Sequence, residues 1–358
     1  MNHLAIARRC FCSNGFGSFN HDHRASGERN RTRSRKAHHA RSDNNGINVG
    51  HNPVSRISPF SLPKLSITSS KCRHEIKGST LAGCEFLDQI KERVPFIRTK
   101  LNSMSLNLFN LSGRLALVTG SSQGIGLAMA AGLARAGAHV VLNGRDPNKL
   151  EIAAKSLIDE GLTVSTSAFD VSDSHAVEIA VAAIEENIGP IDVLINNAGK
   201  QHRGAAEEFT DEAWHDIFKI NVDGVFFVAR AVGRRMIVRN RGKIVNIGSV
   251  QSELGRPTIV PYTATKGAVK MMTKGLCAEW AKHGIQVNAI APGYFVTELN
   301  KALVENKDFS DWLCKRTPAG RWGNVEELVG AAIFLSSMAS NFVNGHVLMV
   351  DGGLTASV

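Results

Sequence analysis

The chain has 358 residues, 43% of them hydrophobic, and a formal net charge of +10, enough material for at least one full core. Thirteen Lys/Arg and three Asp/Glu fall in residues 1–74, leaving 29 of each sign beyond; the basic excess belongs to the N-terminal segment, and a nucleic-acid partner, which would need a basic patch on a folded surface, is not expected. No apolar stretch approaches the roughly 18 residues of a membrane span, and the six cysteines show no metal-ligand spacing, so no metal is expected and reduced thiols are the default.

Residues 1–75 are rich in Arg, Ser, Asn and His without helical or strand period, including the run RNRTRSRK at 29–36, a composition that builds no core. Residues 1–20 hold no acid, and their LAIARR piece leads into Ser- and Arg-rich sequence, which suits an organellar transit peptide for mitochondrion or plastid. A disordered basic tail on a cytoplasmic protein and a nuclear-localisation or RNA-binding arm are the alternatives. Phe86, Ile90, Val94 and Ile97 are spaced near the helical period, which predicts a short amphipathic helix over 85–100.

From Leu115 the texture changes. β-rich runs at 115–119, 139–143, 164–169, 191–196, 243–247, 286–290 and 346–350 alternate with longer helical patterns, several opened by Pro147, Asp173 or Asp211, residues that start helices. Strands separated by helices need crossover connections, so the expectation is an α/β fold: a doubly wound Rossmann arrangement with a seven-stranded parallel sheet and helices on both faces, in a single domain. Ligands of such sheets sit outside the C-terminal ends of the strands.

The first strand runs into Gly120-Ser121-Ser122-Gln123-Gly124-Ile125-Gly126 and then an apolar helix. Glycines let backbone approach a pyrophosphate, whose charge is favoured by free amides and the positive end of a helix. Placed between strand and helix, with a second strand ending about 18 residues later, the loop reads as a cofactor cradle rather than a plain turn. After that second strand, Gly144 stands where an acid would bind the adenosine ribose diol, and Arg145 follows. An acid would repel a 2′-phosphate and a guanidinium would bind it, so NADP (NADPH) is expected in preference to NAD. The neighbouring Asp146 weakens the inference, and a merely solvated Arg145 is the alternative.

Tyr262 and Lys266 lie four apart at the start of a long helical pattern reaching Lys282, hence on one face. A phenol with a pKa near 10 is a poor base at neutral pH, and a nearby ammonium lowers it toward a usable range. Ser249, just past the strand at 243–247, brings a hydroxyl to the same sheet edge, where it could stabilise the oxyanion formed as hydride reaches a carbonyl; an ordinary turn serine is the competing reading.

Together with Asn221 in NVDGV and with Asn196-Asn197-Ala198-Gly199, these residues resemble the short-chain dehydrogenase/reductase family over about 255 residues, the glycine loop matching its TGxxxGxG form. The resemblance implies an enzyme with Tyr262 as general acid/base, Lys266 tuning it and holding the nicotinamide ribose, Ser249 orienting substrate, and Asn221 positioning a relay water. It also implies cofactor contacts from Gly120, Ser122, Gln123, Gly124, Ile125, Gly126, Arg145, Asp170, Val171, Asn197, Ala198, Gly199, Pro292, Gly293 and Thr297, and a homotetramer built on the helices bearing Asn221 and Tyr262 and on the last strand.

Within that family VVLNGRDP at 140–147, PYTATKGAVK at 261–270, APGYF at 291–295 and KRTPAGRWG at 315–323 resemble the gluconate 5-dehydrogenases, also called 5-keto-gluconate reductases. Their likeness starts at Met104, which divides the chain into a basic N-terminal extension, 1–103, and a catalytic domain, 104–358. A small aldonate substrate needs a partner for its carboxylate, and Arg203, Arg256 and Gln251 are the candidates, beside Ser249 and Tyr262; either arginine could instead face solvent or a subunit contact. The main rival is a 3-oxoacyl carrier-protein reductase, for which Arg234, Arg235, Arg239, Arg241 and Lys243 could dock an acidic carrier; a sugar-alcohol or tropinone-type reductase is another. A non-enzymatic NADP-binding regulator is disfavoured by the intact tetrad.

Overall fold

The structure, a computed structural model, describes residues 106–358. The readings made on residues 1–103, namely the transit peptide, the basic run and the helix at 85–100, lie outside the described residues.

Seven parallel strands form one sheet: β1 (Leu115–Val118), β2 (His139–Gly144), β3 (Val164–Ala168), β4 (Ile191–Asn196), β5 (Gly242–Ile247), β6 (Ile285–Pro292) and β7 (Val347–Val350). Their order is β3-β2-β1-β4-β5-β6-β7, as alternating strand and helix signals require. Period-2 alternation sorts the side chains. Ala116 and Val118 of β1 and Val193 and Ile195 of β4 enter one core, while Leu115, Leu117, Ile191 and Leu194 enter the other. The first core is closed by α1 (Gly124–Arg135) and α2 (Pro147–Asp159), and the second by α3 (Ser174–Asn187), α5 (Gly224–Arg239) and α6 (Val260–Trp280). The helix α4 (Asp211–Phe218) runs directly into a π-helical turn, Lys219–Asp223, which joins it to α5. After β6 come the short α7 (Lys301–Val304), then α8 (Lys307–Arg316) and α9 (Val329–Ser336), the last of which packs in the first core through Ala332 and Leu335.

Capping separates the helices by role. Asp146 accepts hydrogen bonds from the Asn148 and Lys149 amides to start α2, and Asp173 does the same for His175 and Ala176 at the start of α3, each worth about 1 kcal/mol. α1 has no side-chain cap, so its positive end stays open toward the cleft. The sequence order reverses between β1 and β4, which makes their C-terminal ends the crevice of the sheet.

Candidate active site

At that crevice β1 and β4 are tied directly together. Thr119 Oγ1 accepts from the Asn197 and Ala198 amides at 3.0 and 3.1 Å, and Asn197 Nδ2 donates to the Thr119 and Gly120 carbonyls at 3.0 and 2.9 Å. Gly120 (φ +61°) and Gly124 (φ +59°) adopt the left-handed conformation that favours glycine. A Cβ on Gly126 would stand 2.4 Å from both Asn197 Nδ2 and the Gly120 oxygen. The loop is thus a backbone cradle at an uncapped helix start, with no room for a side chain at Gly120 or Gly126, and it fits a pyrophosphate.

The adenosine side is built by β2 and β3. Asn143 donates to the Ser167 and Phe169 carbonyls, each at 3.1 Å, and accepts from the Gly120 amide. Gly144, Arg145, Asp170 and Val171 line this end of the cleft, and Lys149 joins them, a second cation that the sequence reading missed. Arg145 lies 3.9 Å from Asp170, with the guanidinium largely in solvent and the carboxylate half-buried, a contact of little energy that leaves the guanidinium available. Asp146 also lines this end, with one carboxylate oxygen accepting from the Asn148 and Lys149 amides at the start of α2.

Opposite the cradle, Ser249 follows β5 in extended conformation, and its Oγ accepts from the Gln251 amide at 3.1 Å. Tyr262, in the first turn of α6, and Lys266, one turn later, line the same wall. Lys266 is only 6% exposed and donates to the Ile247 carbonyl at 2.7 Å. Burial pushes the Tyr262 phenol above its ordinary value, with a hydrogen bond from Ser249 drawing it partly back, and burial lowers Lys266 to about 8. The expected lowering of the phenol by a neighbouring ammonium meets an opposing effect here, the burial of both groups. Lys266 directs its protons at Ile247 and lies 5.5 Å from the Tyr262 ring centroid, and desolvation disfavours both charged forms.

Asn221 does not line the cleft. It sits behind it in the π-helical turn, 1% exposed, and grips Lys200 by both main-chain groups, accepting from its amide and donating to its carbonyl at 2.9 Å each. Its amide nitrogen also donates to Thr265 Oγ1 at 3.2 Å.

Pro292, Gly293 and Thr297 close the nicotinamide side of a cavity of about 730 Å3. Beyond them the wall carries Gln251, Arg256 and Tyr294. Gln251 Nε2 donates to the Tyr294 hydroxyl at 3.4 Å while its Oε1 has no partner. Arg256 packs over the Phe309 ring with its Nε equally unmatched, so this end presents unsatisfied polar groups to a polar guest. Tyr294 went unnoticed in the sequence although the chain has two tyrosines in all; it lay within the APGYF run. Arg203 is not part of the wall. It is exposed, reaching Gln201 Oε1 and the Leu299 carbonyl at 3.3 and 3.5 Å, while His202 turns to Asp216 and Arg321 to Glu327.

These features define a nicotinamide-type oxidoreductase site, and the chain belongs to the short chain dehydrogenase family, whose model matches residues 114–308. It is 63% identical over 252 residues to a gluconate 5-dehydrogenase of Gluconobacter oxydans, covering 70% of this chain and 98% of the relative. It is 54% identical to a 5-keto-D-gluconate 5-reductase of Escherichia coli, with 70% and 99% covered. A crystal structure of a gluconate 5-dehydrogenase from Burkholderia cenocepacia in complex with NADP and tartrate is similar at 58% identity and a TM-score of 0.70, covering 71% of this chain and all of that one. The expected organellar address is corrected by these findings: the relatives come from bacteria, cells with neither mitochondria nor plastids, and the cytoplasmic alternative agrees with them.

Proposed function

We propose that residues 104–358 form the catalytic unit of an NADP(H)-dependent oxidoreductase interconverting 5-keto-D-gluconate and D-gluconate. The observation that carries this reading is the convergence of Ser249, Tyr262 and Lys266 on one wall of a cleft whose other wall is the glycine cradle, in a chain 63% identical to an enzyme named for that reaction. The backbone of 120–126 would hold the pyrophosphate, and Arg145 with Lys149 the 2′-phosphate. A dinucleotide held there would supply the hydride that the carbonyl carbon accepts. Ser249 and Tyr262 hold the carbonyl oxygen, and Tyr262 passes its proton to the alkoxide as it forms. A phenol kept above its ordinary value is protonated at neutral pH and ready to donate in the reducing direction. Gln251, Arg256 and Tyr294 would meet the aldonate's carboxylate and hydroxyls.

The carrier-protein alternative draws less support. Arg234 and Arg239 are paired with Glu178 and Glu185, Arg235 turns to the Ala231 carbonyl of its own helix, and Arg241 and Lys243 line a separate cavity, so the five cations do not form one free basic surface for an acidic partner. We also propose a homotetramer, for which the exposed Phe226 of α5, the exposed Met271 of α6 and the free edge of β7 supply surface. A chain starting at Met104 is expected to run as a tetramer on a calibrated scattering measurement. It should oxidise NADPH with 5-keto-gluconate far faster than with an acetoacetyl thioester. Preference for the thioester would favour the carrier-protein reading, cofactor binding without turnover on any carbonyl would favour a regulator, and an unfolded product would make residues 1–103 part of the domain.

A further inference from the structure

A second cavity, of about 610 Å3, opens at the opposite edge of the sheet, where β1, β4, β5 and β6 begin. It shares no residue with the cleft. Its charged lining is Arg114, Arg241, Lys243 and, as the sole carboxylate among the described residues, Asp192. Asp192 already serves both arginines, at 3.2 Å to Arg114 and 3.3 Å to Arg241, and accepts from the Leu115 amide with its other oxygen. Lys243 is left with neutral partners, Ser340 Oγ at 3.3 Å and Asn341 Oδ1 at 2.9 Å, although it is only 8% exposed. Three cations against one carboxylate leave a surplus of two positive charges. Ser336, 4% exposed and also in the lining, has a hydroxyl with no hydrogen-bond partner. A buried ammonium without a counter-ion and an unmatched buried hydroxyl are both costly unless something answers them.

We propose that this cavity binds a phosphate monoester, whose two negative charges match the surplus, with Arg114, Arg241, Lys243 and Ser336 as donors. A planar guanidinium suits phosphate oxygens, and both arginines are partly open to solvent, so each can turn a second nitrogen to a ligand while keeping Asp192. Lys243 has been drawn down to about 8 by burial, with Arg114 adding to the effect, as expected of an ammonium whose charge is poorly answered.

The test is calorimetric titration of the full chain, held in saturating NADPH so that the cleft is filled, with inorganic phosphate and with glycerol 3-phosphate against chloride at matched ionic strength. A saturable site for both probes is expected. Loss of one charge-assisted donor should weaken it about ten-fold or more in Arg241→Glu, less in Ser336→Ala, with NADPH oxidation unchanged in both. Arg241 is largely exposed, so its replacement is expected to fold. No saturable heat beyond the chloride control would overturn the proposal, as would equal affinity in Arg241→Glu. Binding of inorganic phosphate with rejection of glycerol 3-phosphate would overturn the monoester assignment.

Discussion

Tyr262 and Lys266 lie a helical turn apart, yet they reach their chemistry through different neighbours: the phenol through Ser249 and the ammonium through the Ile247 carbonyl. Removing the phenol's proton should therefore be separable from disturbing the cofactor. Tyr262→Phe is expected to lower kcat by about two to four orders of magnitude while leaving NADPH affinity, read by fluorescence titration, near that of the parent. Turnover retained in that variant would take the acid role away from Tyr262. Arg145 offers a matching test at the other end of the cleft. It is exposed, and its carboxylate neighbour is 3.9 Å away, so Arg145→Asp should leave stability almost untouched and move the ratio of kcat/KM values toward NAD by roughly ten-fold or more, the value of a charge-assisted phosphate contact. An unchanged ratio would assign the phosphate to Lys149.

At the scale of elements, the glycine loop works because β1 and β4 end close enough for Asn197 to hold two of its carbonyls. Gly126→Ala would push a methyl into those atoms; overpacking of that kind costs about 1–3 kcal/mol, and NADPH binding should fall more steeply than thermal stability when both are measured on one preparation. All seven strands were legible in the sequence because β-branched runs and the intervening helical patterns repeat without interruption. The cradle was legible because glycine spacing is itself a backbone statement. Loop directions were not. Nothing in the spacing of Arg203 after β4 says that its guanidinium turns to Gln201 and the Leu299 carbonyl, or that Tyr294, from after β6, takes a place in the wall. The depth of Lys266 was equally hidden, since helical spacing reports which face a residue shares and not how much solvent reaches it.

Across the whole molecule, two buried lysines link stability to pH. Lys266 and Lys243 fall from 10.5 to about 8 on folding. Between those values the unfolded chain binds more protons than the folded one, so the unfolding free energy rises with pH through that window. Urea denaturation should show greater stability at about pH 9.5 than at about pH 8, the sign this linkage requires, and Lys243→Met should flatten the rise. A flat profile in the parent would mean that neither ammonium is held down. The two tyrosines act in the other sense: burial raises both Tyr262 and Tyr294, so above their ordinary value the folded state keeps protons that the unfolded chain would lose, and stability declines. Those same two side chains are the only phenols among all 358 residues, and both line the cleft. Phenolate absorbance is therefore an optical label that the protein carries by itself, silent everywhere except at the site, and a guest entering beside Ser249 or Arg256 would be visible as a displaced ultraviolet titration with no probe attached.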